Sequence, residues 1–171
     1  MKSVLISIRP NWCAAILNGE KSFEVRKTVP KLNPPFRCFV YCTRTGRPLV
    51  YGDVLCMDGY REEYTQTYGY SRSEASRSWN VLNGKIVAEF ICTAIIPISV
   101  YYGDNNLEAA EKHYFPYTCM TDRQIIEYLG NGKTGYCLRI EKLRIYDDGE
   151  EKELCEFGIK RPPQSWCYVS R

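Results

Sequence analysis

The chain has 171 residues, 44% of them apolar and 25% charged, the make-up of a soluble globular domain long enough for a real core. Its net charge of +3 permits a nucleic-acid partner without demanding one, and it confines any such site to a local patch rather than a broad basic band. No apolar run approaches a membrane span, and the N-terminus lacks a signal-peptide cleavage site, so the sequence predicts a cytoplasmic protein with no membrane partner.

Ser3 to Arg9 reads as a first strand, with Val4, Ile6 and Ile8 alternating with Leu5 and Ser7. Pro10 opens a short helix with Trp12, Ala15 and Ile16 on one face, and Gly19 ends it. Residues 22–27 form a second strand in which Phe23 and Val25 point into a core while Ser22, Glu24 and Arg26 share the other face. Lys21 stands at its entrance, so a lysine, a carboxylate and a guanidinium are brought side by side. Val29 to Pro35, with three prolines, is a loop, and Phe36 to Thr43 is a third strand with Phe39 and Tyr41 opposite Cys38, Val40 and Cys42.

Val50 to Met57 reads as another strand. Residues 58–80 then form an irregular insertion rich in tyrosine and arginine. That composition suits single-stranded nucleic acid, and it equally suits a solvated loop whose tyrosines cover apolar surface. Asn83-Gly84 marks a tight turn before the longest strand run, Lys85 to Val100, in which Pro97 marks a bend or an edge. Two helices are expected next. One is capped by Asn106 and covers Leu107 to Tyr114, with His113 on its surface. The other has a Thr121–Gln124 capping box, an Ile125, Ile126, Leu129 stripe and Gly130 as its stop. Gly135 to Tyr146 is a strand, and the diproline at Pro162-Pro163 precedes a short apolar strand at the C-terminal end.

The cysteines are nine, an odd number, scattered without any C-x-x-C spacing, and the single histidine is His113. The pattern reads as reduced thiols packed as small hydrophobes, with no metal and no cofactor. There are no repeats or low-complexity linkers, so 1–171 is read as one domain. Many strands with few short helices suggest an α+β fold built on a small mixed β-barrel.

Three stretches in this order resemble the ASCH domain family of the PUA-like superfamily. They are Ser7-Ile8-Arg9-Pro10 running into the G-x-K-x-x-E-x-R segment Gly19 to Arg26, then Gly84 to Phe90, then Gly135 to Ile140 closed by Pro162-Pro163-Gln164-Ser165-Trp166. The resemblance implies a PUA-like barrel with a cleft lined by the G-x-K-x-x-E-x-R segment, and RNA or nucleotide binding as the general expectation. It also implies an alternative, since some small members are amidohydrolases that deacetylate N4-acetylcytidine with a lysine, a threonine and a glutamate. The lysine corresponds to Lys21; the threonine position holds Glu24, and the acidic position falls near Thr118.

A catalytic lysine must be neutral, and a carboxylate beside Lys21 favours its ammonium form. The expectation is therefore recognition rather than cleavage. Glu24 would accept from an exocyclic amino group, Lys21 and Arg26 would hold phosphate or a carbonyl edge, and Arg9 would join them. Trp12 and Trp166 would stack on bases, with Gln164 and Ser165 beside them. Against this stand two plainer readings: Glu24–Arg26 as a structural ion pair, and Trp12 as a core residue.

Overall fold

The computed structural model describes residues 2–46, 48–50, 81–102, 107–108 and 112–171. Its centre is a mixed six-stranded sheet with few short helices, an α+β architecture. β1 (Lys2–Ile8) leads through α1 (Pro10–Leu17) to β2 (Phe23–Arg26) and β3 (Phe36–Cys42). β4 (Ile86–Ser99) follows, then the two-residue strands β5 (Tyr101–Tyr102) and β6 (Leu107–Glu108). A 3-10 helix at Lys112–Thr118, α2 (Asp122–Leu129), β7 (Thr134–Ile145), a second 3-10 helix at Leu154–Phe157 and β8 (Trp166–Ser170) complete the order.

The strand order is β2-β7-β4-β3-β1-β8, with β1 parallel to β3 and its other neighbour, β8, antiparallel. The long β4 pairs with β7 along most of its length but with β3 only as far as Cys92. Register shifts between Glu89 and Ile91 and between Cys92 and Ile95 mark where it bends, as bulges do. Pro97 sits opposite Tyr136 of β7, beyond the last β3 pair. A residue without an N–H is tolerated there because that side of β4 has run out of its β3 partner.

The sheet curls far enough that one core cluster draws Val4, Ile6 and Ile8 from β1, Cys38 and Val40 from β3, Phe90 from β4 and Leu138 and Ile140 from β7. α1 closes this cluster with Cys13, Ile16 and Leu17. A second cluster joins Phe23 and Val25 to Ile125 and Leu129 of α2. A third lies on the opposite face around Leu5, Phe39, Tyr41 and Val169, with Phe157 packed on it. Among the described residues no backbone ladder joins the edge strands β2 and β8. Side chains bridge them instead: Trp166 Nε1 donates to the Thr28 carbonyl at 3.1 Å, and Lys31 N donates to the Tyr168 hydroxyl at 2.8 Å. The expected barrel is thus a curled sheet with a side-chain seam.

The capping box at Thr121 and Gln124 forms as its residues dictate, each side chain accepting from the other's backbone N–H. The described residues of the helix expected over Leu107 to Tyr114 take other forms. Leu107–Glu108 pairs with Tyr101–Tyr102, and the helical turn starts at Lys112 in 3-10 form with Pro116 inside it. Helix propensity is a weak preference, and a nearby unpaired strand outweighs it. Residues 51–57 of the expected fourth strand and the insertion at 58–80 lie outside the described residues.

The eight described cysteines are free thiols. Burial pushes Cys13 and Cys38 well above the ordinary thiol value of 9.0 and pushes Cys92 up to about 11. A thiol that stays protonated when folded but ionises near 9.0 when unfolded stabilises the fold below that pH and loses that contribution above it. The melting temperature is therefore expected to fall between about pH 8 and about pH 10.5, and to fall less steeply in Cys38→Ala, as followed by circular dichroism. Equal slopes for the two proteins would show that the buried thiols are not responsible.

Candidate functional site

The site is assembled at the turn between α1 and β2. Gly19, at φ 76°, takes the left-handed backbone that ends the helix, and its N–H caps Ile16. Lys21 N then bonds back to the Ala15 carbonyl and Ser22 N to Tyr117, which fixes the approach to β2. β2 pairs antiparallel with β7, setting Glu24 opposite Leu138 and Arg26 opposite Tyr136. Strand alternation then sends Phe23 and Val25 outward beneath α2 and turns Glu24 and Arg26 inward, into the concave side of the sheet. The charged face is therefore no surface: Lys21 is 2% exposed, Glu24 5% and Arg26 6%.

Buried charges must be paired, and these are. One Glu24 oxygen lies 2.9 Å from Arg26 Nη2, the other 3.4 Å from Lys21 Nζ. Lys21 Nζ also donates to the Thr118 carbonyl at 2.5 Å and stands 5.1 Å from the Trp12 ring centroid. The Thr118 carbonyl is held in place because the Thr118 hydroxyl donates to Phe115 and accepts from Met120 N. Arg26 Nη2 donates to the Ser7 carbonyl at 2.8 Å, and Nη1 reaches Ser165 Oγ at 3.4 Å. Among the described residues Arg26 Nε is buried without a hydrogen-bond partner. Two cations around one carboxylate leave an excess positive charge on the inner wall of the seam.

Neighbouring groups register that charge. Burial pushes the Tyr128 hydroxyl of α2 up while Arg26, the nearest opposing influence, pulls it down, and Glu24 adds to the rise. The Cys13 thiol, raised by burial and by Cys42, is raised further by Glu24 and lowered by Arg26. Lys27 Nζ lies 5.3 Å from the Tyr128 ring, on the outer bank of the seam.

The structure thus brings Lys21, Glu24, Arg26, Ser165 and Trp12 into one connected group. Trp166 stands next to Ser165, half-buried against the main core. Trp12 packs on that core, the plainer of its two expected roles, and its ring also lies under Lys21 Nζ. Arg9 is exposed at the N-cap of α1 and Gln164 is exposed before β8, away from the buried charges. Glu24 has an oxygen on each cation, the ion pair that the sequence also allowed, and so holds Lys21 and Arg26 in place. Sequence reasoning did not find the carbonyls of Ser7 and Thr118, because a backbone acceptor has no residue signature. It also passed over Tyr128, which packs on the same cluster as the apolar stripe of α2 and so reads as one more stripe residue. A groove of about 560 Å³ lies elsewhere, between Arg44, Gly84 and the 3-10 helix bearing Leu154 and Cys155, and contains none of these residues.

The solved structures similar to this chain share its fold. An ASCH protein from Zymomonas mobilis superposes with a TM-score of 0.62 at 14% identity, covering 99% of this chain and 88% of its own. Two single-site mutants of that protein give TM-scores of 0.61 and 0.60 at 13% identity, covering 100% and 99% of this chain and 92% and 89% of their own. No protein-family model matches the sequence. No curated protein matches it either. The chain has an ASCH-type fold.

Removing one member of a buried charge group costs about 3–5 kcal/mol when it leaves the others unpaired. Glu24→Ala strands two cations, whereas Lys21→Ala leaves Glu24 with Arg26. Chemical denaturation is expected to show Glu24→Ala as the larger loss, in that range, with Lys21→Ala clearly smaller. Equal losses would mean the carboxylate is not the hub.

Proposed function

We propose that the protein binds RNA or a nucleotide at the seam between β2 and β8, with Lys21 and Arg26 supplying the positive field and Glu24 holding them in place. The observation that carries this reading is the pair of cations held around one carboxylate on a buried wall. The half-buried rings of Trp12 and Trp166 beside it suit the faces of bases. The resemblance of the G-x-K-x-x-E-x-R segment to ASCH proteins supports the same reading, and the seam lies where a PUA-like barrel would close.

The amidohydrolase alternative is the weaker one. Lys21 Nζ is aimed at two acceptors, the Thr118 carbonyl and the Glu24 carboxylate, a setting that suits an ammonium, and an ammonium has no lone pair to offer an acyl carbon or a water. Incubation with N4-acetylcytidine decides this point. Cytidine formed by the wild type and not by Lys21→Ala would reverse the order of the two readings.

Binding itself is tested by fluorescence anisotropy with labelled single-stranded RNA, duplex DNA and free nucleosides. Expected is binding of single-stranded RNA at low salt, weakening with added salt at a slope of about −0.7 for each phosphate neutralised. Arg26→Ala is expected to weaken it at least about tenfold. No binding of any of these probes at low salt would overturn the proposal.

A further inference from the structure

Cations stand over aromatic rings on both banks of the seam. On β8, Trp166 and Tyr168 lie two residues apart on one face, their centroids 5.4 Å apart and their planes at 75°. Tyr168 is 39% exposed and sits in none of the core clusters, whereas Val169 beside it is core and Cys167 packs against it. Its ring is nonetheless fixed: Lys2 Nζ stands 5.3 Å from its centroid, and its hydroxyl accepts from Lys31 N. On the other bank, Lys27 stands 5.3 Å from the half-buried Tyr128 ring. Arg26 lies between the banks, in reach of Ser165 and within the electrostatic influence felt by Tyr128.

Resting on the nucleic-acid reading above, we infer that the ligand is a single strand of several nucleotides lying along this seam, with one base on Tyr168 and another on Tyr128, and not an isolated nucleotide. An exposed aromatic ring held immobile is ready for stacking, because little side-chain freedom remains to be lost on contact. A lysine stands over each ring, and a base that displaces it leaves the ammonium to pair with that base's own phosphate. The rings stand on opposite banks with Arg26 between them, so one base does not cover both. The bases of a duplex are already stacked on one another, so paired strands are excluded from such platforms. The charge and the rings together favour nucleic acid over an acidic peptide, which has no flat faces to stack.

The test is anisotropy or calorimetry on the full chain with a ribonucleoside monophosphate, a tetranucleotide, the same sequence as a duplex, and poly-glutamate as competitor. Stacking of about 1–3 kcal/mol per base corresponds to about fivefold to 150-fold, so the tetranucleotide is expected to bind at least about fivefold tighter than the monophosphate. Tyr168→Ala is expected to remove most of that gain, bringing the tetranucleotide down to about the affinity the wild type has for the monophosphate, and Tyr168→Phe, which keeps the ring, to retain it. Circular dichroism melts confirm that the variants fold. A monophosphate that binds as tightly as the tetranucleotide overturns this inference and leaves nucleotide binding at the seam intact. Tetranucleotide affinity unmoved by Tyr168→Ala, or equal competition by poly-glutamate, also overturns it. Failure of every nucleotide probe removes both.

Discussion

Glu24 stands between Lys21 and Arg26, and much of the molecule is arranged around that fact. Through Lys21 the carboxylate is tied to the Thr118 carbonyl and hence to the segment before α2. Through Arg26 it is tied to the Ser7 carbonyl of β1 and to Ser165 at the start of β8. One buried ionic group thus connects the two ends of a sheet whose edge strands share no ladder. A curled sheet with free edges invites pairing with other chains. Here the β2 and β8 edges face one another and are stitched by Arg26, Trp166 and Tyr168 rather than left open.

That arrangement has a cost that an apolar seam would avoid, because charges taken out of water are compensated only when their geometry is good. The carboxylate has a partner on each oxygen, yet among the described residues Arg26 Nε is left over. If sealing the edges were the only task, apolar side chains of similar size would serve at less expense. The ionic group, together with the exposed Tyr168 ring, the half-buried Tyr128 ring and a lysine over each, is what makes a structural seam a candidate site. A structural role for Glu24 and Arg26 does not compete with the proposed recognition role, because the pairing that ties the edges also fixes the guanidinium.

What could be read in the sequence was what local chemistry decides. The Thr121–Gln124 capping box, the Gly19 stop and the alternation of Phe23 and Val25 with Glu24 and Arg26 depend on neighbours within a few residues, and each appears as expected. What could not be read depends on distant partners. The stretch from Leu107 to Tyr114 has helix-forming residues, but the nearby Tyr101–Tyr102 pair recruits Leu107–Glu108 into a ladder. The alternation put Glu24 beside Lys21 and Arg26, but nothing in the decapeptide says that this face is buried. The ring of Tyr168 gains its meaning only when Lys2, from the other end of the chain, is laid over it.

For the proposed binding of a single strand, the inward turn of the charges removes the need for a strongly basic balance. A solvent-exposed cation is screened over about 10 Å at moderate salt, so a surface binder needs many of them. Cations on the wall of a concave seam, with low-dielectric protein behind them, act on a ligand with less screening. A chain with a net charge of only +3 can then concentrate its field at one place. The partner suited to such a field is one narrow enough to lie along the seam and flat enough to use its rings, which a single strand is and a double helix is not.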